Sequence, residues 1–324
     1  MKMKKSIVLL IVLLAFCKNA CAQGLTATLQ SGDQLSVYYG VNAFVSAYEA
    51  ANDGDVITLS AGTFNAPTVV EKSLRITGVG AFEETGNTVI ASLYVTGSNI
   101  RIEGVKFSSK FFPSKSTNLI MVRCWIQSLE ATANFSNPLF SECVFPGYLK
   151  NMKYAMNFTI KNSTIENLGD GNANKTNIGN VINSVIYSWT NLTNYYLYAI
   201  YKNCCIGYDA KSSSKIISCS SPSEFYNNVA FSTNDNYEAT FSFGGDCINV
   251  GNQSMTWAEL FNSTRSIPAQ PQNAPNGDDG TLVGPYGGTG FSPYPAIPRI
   301  VSKKIDGSTN DEGKINVKIE LKAE

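Results

Sequence analysis

The chemistry open to this chain is narrowed first by a residue type that it lacks. Its 324 residues include no histidine, which removes Ser-His-Asp and Cys-His nucleophile systems and every histidine-ligated zinc site. Carboxylate pairs, lysine or arginine bases and oxygen-ligated calcium remain. Lys106, Arg123 and Lys161 fall on a common repeat and are the candidate bases. Calcium is expected only if the chain is a lyase, and no other cofactor is implied. The acidic residues of the repeat region (Glu103, Glu130, Glu142, Glu166, Asp170, Asp209 and Glu224) do not share columns in adjacent copies, so no metal site can be assembled from them. A second kind of site is aromatic. Lys106 lies beside Trp125 one repeat on, and Trp189, Tyr195, Tyr196 and Tyr198 crowd one stretch. Such faces suit sugar rings or protein partners. Trp125, Trp189, Tyr195 and Tyr198 are therefore the candidate ligand-binding residues, with packing in the core or in loops as the alternative.

These residues are positioned by a six-residue pattern: apolar, variable, turn-type, small, variable, apolar. It runs Ile76 to Ala81, Ile102 to Phe107, Met121 to Ile126, Phe140 to Phe145, Ile160 to Ile165, Val181 to Ile186, Tyr201 to Ile206 and Tyr226 to Phe231. Eight copies recur with steps of 19 to 26 residues, and a period of that length is the mark of a repeat architecture. Strict alternation would place positions one, three and five on one face, whereas positions one, four and six are the apolar or small ones. The phase shift requires a bend at position three, where Asn and Gly accept left-handed backbone. A strand, a bend and a second strand every twenty residues describe one coil of a parallel β-helix. The expected fold is thus all-β: a right-handed parallel β-helix of about eight or more coils, stacked ~4.8 Å apart.

Stacking predicts columns of like residues. Asn162, Asn183, Asn203 and Asn228 would form an amide ladder inside the bend, and Arg123 and Glu142 would pair on the same ladder one coil apart. Cys124, Cys143 and Cys204 would be thiols packed within the core, since in-register parallel neighbours do not give the crossed geometry of a disulfide. Cys205 points outward and is open to pairing with Cys219 or Cys247, with no basis for choosing. Extra residues around 81–87 and 207–223 imply protruding loops.

Both ends of such a column need covering. Phe44, Ala47, Tyr48 and Ala51 have helical spacing and predict an N-terminal helical cap within 23–55. Asp53-Gly54-Asp55 would break the helix, and the first strand would begin at Val56. The β-helix itself spans 56–250. In the capping segment 251–298, Thr256 with Glu259 resembles a capping box for a short helix, and the Pro- and Gly-rich stretch from 267 is expected to wrap over the last turn. Residues 299–324 read as a β-hairpin tail, Ile300 to Ile305 pairing with the alternating Ile315, Val317, Ile319 and Leu321.

The first 22 residues read as a signal peptide: Lys2, Lys4 and Lys5, an apolar run from Ile7 to Phe16, then Ala20-Cys21-Ala22. The run is too short to span a membrane, and no later segment is apolar enough to do so. With 25 basic and 25 acidic residues overall, the chain has no general field for nucleic acid or anionic lipid.

The segment from Ala51 to Phe64 resembles the first coil of the secreted right-handed parallel β-helix proteins of the pectate-lyase-like superfamily. The eight copies are similar to that family's coils with an internal asparagine ladder. The segment from Asp278 to Gly288 resembles endings common in exported proteins of gut Bacteroidota. The enzymatic motifs of the family do not carry over: there is no Gly-His-Gly segment, and the one Asp-Asp pair, Asp278-Asp279, lies beyond the coils. The resemblance therefore implies an exported, non-catalytic module in the periplasm, on the outer-membrane surface or outside the cell, with a glycan or an envelope protein as partner. The alternative is a polysaccharide lyase or glycoside hydrolase acting on an acidic polysaccharide.

Overall fold

A computed structural model describes residues 24–83, 86–168, 178–189, 197–208, 216–220, 222–233, 239–261, 270–294, 299–305 and 317–322. The expected leader, and Tyr195 with it, lie outside these residues, as does the side chain of Trp189. The chain forms an all-β parallel β-solenoid of about eight turns. Two long sheets make its walls, one of 12 strands and one of 10. In the first, Ile57, Ile76, Ile102, Met121, Phe140, Ile160, Val181, Tyr201 and Phe225 are successive register partners. This is position one of the repeat, and every residue in the column is fully buried.

The bend falls at position three. Arg123, Glu142, Asn162, Asn183 and Asn203 all have φ between 46 and 56°. The chain then enters the second sheet, where Phe107 pairs with Ile126 and Ile165 with Ile186. The bend turns the N–H of position four away from both sheets, and an unpaired buried donor would cost about 1–3 kcal/mol. Side-chain oxygens of the following turn accept these protons: Ser163 from Cys143, Ser184 from Ser163, Asn228 from Cys204 and Asn252 from Asn228. The small polar residues at position four are there for that purpose.

Three expectations are corrected. First, the last copy is slipped by one residue. Tyr201 pairs with Phe225 and Cys205 with Val229, so Asn227 occupies the left-handed bend (φ 51°) and Asn228 belongs to the position-four ladder. Second, the copy at Ile76 does not pass directly into the second sheet. Residues 78–83 and 86–87 lie outside both sheets, and Thr88 and Ile90 take the places opposite Val105 and Phe107. Third, the Pro- and Gly-rich segment does not wrap over the last turn. It runs lengthwise along the bend column. Val283 lies at Cys205, Asp278 at Asn203, Pro285 and Gly287 at Asn162, and Ser292 at Glu142.

This strap changes what the asparagines do. Asn162 Nδ2 donates to the carbonyls of Pro285 (3.0 Å) and Gly287 (2.7 Å), and Asn203 Nδ2 to Asp278 (3.0 Å). The bend amides therefore hold the strap and do not bond to one another. At Gly288 (φ +57°) a Cβ would come within 2.5 Å of Asn183 Nδ2, so only glycine allows so close an approach. An amide-to-amide ladder does exist, at the opposite bend: Asn118 donates to Asn99, Asn137 to Asn118 and Asn157 to Asn137, at 2.9 to 3.3 Å.

The helix Ala43–Ala50 buries Ala43, Phe44 and Ala47 in the solenoid core. The helix Trp257–Leu260 has the expected capping box between Thr256 and Glu259. With Phe261, Ala274 and Val283 it forms a second apolar core against the outer side of the second sheet, over Val185, Tyr187, Cys205, Val229 and Phe231. Cys205 is therefore enclosed, and all six described cysteines are free thiols. The strands Arg299–Ile305 and Val317–Lys322 pair antiparallel. No helix among the described residues is long and apolar enough to cross a membrane.

The buried thiols predict a pH dependence. Burial pushes Cys204 up to about 12, against the opposing pull of backbone hydrogen bonds with Ser184 and Lys202, and burial likewise raises Cys143 and Cys205. An unfolded thiol titrates near ~8.5, so this contribution to stability is whole below that pH. Above it the unfolded chain releases protons that the folded chain keeps, and stability falls by up to ~1.4 kcal/mol per pH unit for each such thiol. Urea unfolding between about pH 8 and pH 10 is expected to show the decline, with a shallower slope in Cys204→Ala. A flat profile would contradict the burial of these thiols.

Candidate functional site

The strap and the short helix cover the outer side of the second sheet over its later turns. Val144, Thr164, Val185, Cys205 and Val229 all point outward in one column, and all are buried. The earlier turns of the same sheet are less covered, and several of their outward side chains are aromatic or cationic.

Two neighbouring groups make up this strip. In the first, Lys106 and Trp125 are register partners, and Lys106 Nζ lies 5.1 Å from the Trp125 ring centroid. Phe82, carried by the predicted loop, meets Trp125 edge-on at 6.3 Å and Phe291 of the strap at 5.4 Å. The strap thus ends where the strip begins. In the second group Tyr94 and Phe112 pair in register and stack at 4.1 Å with planes 8° apart. Lys110 Nζ lies 5.7 Å from the Phe112 ring and forms an ion pair with Glu130 at 2.9 Å. One turn further, Lys150 lies 5.5 Å from the ring of Tyr148. Tyr94 and Tyr148 are exposed.

The strip carries three lysines and one glutamate. Each lysine sits over a ring, where the quadrupole holds the ammonium in place at modest cost. Ring edges are electropositive and attract oxygen, and free faces take the C–H side of a sugar. The arrangement suits a hydroxyl-rich ligand that bears some negative charge.

The candidate bases do not converge. Arg123 Nε donates to Glu142 (2.9 Å) and its NH1 to Glu103 (3.3 Å), so its donor fork is spent on two carboxylates. Glu103 is fully buried and also takes Arg101 at 2.8 Å and Arg75 at 3.8 Å. The predicted Arg123–Glu142 pair is thus one part of a five-residue cluster on the first sheet. Lys161 lies on that sheet too, in register with Ser141 and Ile182, away from Lys106. Tyr198 is buried, at 8% exposure, which leaves no ring face for a ligand. Among the described residues no three His, Cys, Asp or Glu side chains gather as a metal site.

Tyr94, Phe112, Lys110, Tyr148 and Lys150 lie beyond position six of the repeat, where irregular spacing in each strand breaks the strict count. Aligning Tyr94 with Phe112 would have required recognising the insertion after Gly78, since Ile90 and not Ala81 matches Phe107. A longer window, extended three residues before position one, would have found Asn99, Asn118, Asn137 and Asn157.

Architecture and strip together define the class: a parallel β-solenoid whose outer sheet face is open over its early turns and covered over its later ones. Neither a scan against protein-family models nor searches of curated proteins and of solved structures found a match.

Proposed function

We propose that this chain is an exported, non-catalytic parallel β-helix module that binds a glycan through the strip of Trp125, Lys106, Tyr94, Phe112, Lys110, Tyr148 and Lys150. The carrying observation is the contrast along that face. The chain buries the outward residues of its later turns beneath its own strap, yet over the earlier ones Tyr94, Tyr148 and Lys110 are exposed and Trp125, Phe112, Lys106 and Lys150 are half-buried. Export is supported by the basic and apolar character of the first residues, and places the module in the periplasm, on the outer-membrane surface or outside the cell. The resemblance to the pectate-lyase-like proteins supports a polysaccharide as the ligand. An envelope glycoconjugate presents the same chemistry.

A glycan array probed with the purified chain, with and without calcium, tests the reading. Binding is expected to favour glycans with anionic substituents. Tyr148→Ala and Trp125→Ala are each expected to weaken it by about 10-fold, and Tyr148→Ala should leave the melting temperature unchanged. Binding that survives both substitutions, or cleavage of a bound acidic polysaccharide, would overturn the proposal.

A further inference from the structure

Among the described residues the 12-stranded sheet ends in two open edges. At its head is the strand Gln34–Tyr39, paired there only with Thr26–Ser31; at its tail is Ile248–Val250, paired there only with Glu224–Tyr226. Folded proteins usually protect such edges with charge, proline or a bulge. These two strands contain no charged residue and no proline. Leu35, Val37, Ile248 and Val250 are 41–66% exposed.

Direction and register of the two edges match. The head strand is antiparallel to Thr26–Ser31, which is antiparallel to Val56–Leu59, so the head strand runs in the same direction as the tail strand. Following the register from head to tail, Leu35 leads through Gln30, Val56 and the strands beyond to Ile248. Ser36 leads through Leu29 and Ile57 to Asn249, and Val37 through Thr28 and Thr58 to Val250. A second copy moved along the axis by one chain length would therefore place Leu35 on Ile248, Ser36 on Asn249 and Val37 on Val250. Apolar meets apolar on the outer face. On the inner face a hydroxyl meets an amide, at the two places where the buried column changes from hydrocarbon to polar. The helix Ala43–Ala50 packs on the inner side of the head hairpin. It would face the recess of ≈ 230 Å³ at the tail, between Phe241, Phe243, Asn249 and Asn252.

From this we infer that the chain assembles head to tail with copies of itself, the edge Ile248–Val250 of one copy pairing in parallel with Gln34–Tyr39 of the next and continuing one sheet through both. Such a contact is heterologous and does not close on itself, so it builds a linear stack.

The test is light scattering of the full chain, purified from expressing cells, over a range of concentrations. Masses are expected to climb through integer multiples of the mass of one chain. A head-blocked variant, Leu35→Lys with Val37→Lys, and a tail-blocked variant, Ile248→Lys with Val250→Lys, should each be monomeric with unchanged circular dichroism. Mixed together they keep one competent head and one competent tail, and should give a 1:1 dimer that grows no further. A wild-type chain that stays monomeric overturns the inference. So does a dimer that survives either block, which would mean a symmetric interface. Assembly seen only after removal of residues 299–324 would show the tail edge to be occupied by the chain's own hairpin and would likewise overturn it.

Discussion

Replacing Glu103 with alanine is expected to destabilise the fold by roughly 2–3 kcal/mol, the loss of charge-assisted hydrogen bonds to a buried carboxylate whose partners are themselves partly exposed. Glu103 is fully buried and receives Arg101, Arg123 and, at longer range, Arg75. Arg75 and Arg101 are register neighbours, so their strands lie only ~4.8 Å apart. Without the carboxylate, like charges face one another across adjacent turns and Arg123 keeps Glu142 alone. The comparison is Arg75→Ala. Arg75 is 48% exposed and its contact is 3.8 Å long, so its loss should cost no more than ~1 kcal/mol. Urea denaturation of the two variants measures both. Equal effects would mean that Glu103 does not organise the cluster.

The second large effect is local. Val283 is buried in the outer apolar core beside Cys205, and Val283→Asp would place a carboxylate there without a partner, at a cost of several kcal/mol. Polar contacts at the bend column also hold the strap, among them hydrogen bonds from Asn162 and Asn203, those that Ser292 and Gly284 donate to Glu142 and to the Asn203 carbonyl, and the Lys202–Asp278 ion pair at 2.7 Å, but the apolar anchor of its middle is the core around Val283. The strap should detach while the two sheets persist. Limited proteolysis is expected to cut within 270–294 far faster in the variant than in the native chain, with little change in the far-ultraviolet circular dichroism. Loss of all β structure would show instead that strap and solenoid fold as one unit. Acid should favour the same release. The Asp278 carboxyl is held below its ordinary value first by Lys202 and then by Asn203. That contribution is present above the unfolded carboxyl's ~3.9 and is lost as pH falls through the folded value.

The walls of the solenoid could be read from the chain because each turn repeats the same demand: one apolar side chain inward, a bend, another inward. Met121, Phe140 and Ile160 announce their column without reference to anything distant. The slip at the eighth copy arose because Phe225-Tyr226 and Asn227-Asn228 satisfy the pattern in either register. Stacking decides between them. Phe225 lies on Tyr201 at 4.9 Å, while Tyr226 faces outward to Glu224. The bend asparagines pose a different problem. Left-handed backbone explains Asn162 and Asn203 equally well whether their amides face one another, solvent or another segment. What they meet is a strap more than 70 residues away in sequence, outside the repeat and with no periodicity of its own. The same strap buries Cys205, which the alternation alone places in solvent. Two of the seven residues of the aromatic and cationic strip were legible, as Lys106 beside Trp125. The remainder was hidden by irregular strand spacing, and Tyr198 shows that an aromatic cluster in sequence can be core in space.

Successive turns lie in register with like side chains stacked, and inter-strand nuclear Overhauser effects in a deuterated sample test this most directly. Contacts are predicted between Met121 and Phe140, Phe140 and Ile160, and Tyr201 and Phe225, in the slanted parallel pattern, together with contacts from Asn183 to Gly288. Antiparallel cross-peaks among the strands that carry Met121, Phe140, Ile160, Val181 and Tyr201, or Tyr201 in contact with Tyr226 in place of Phe225, would contradict it.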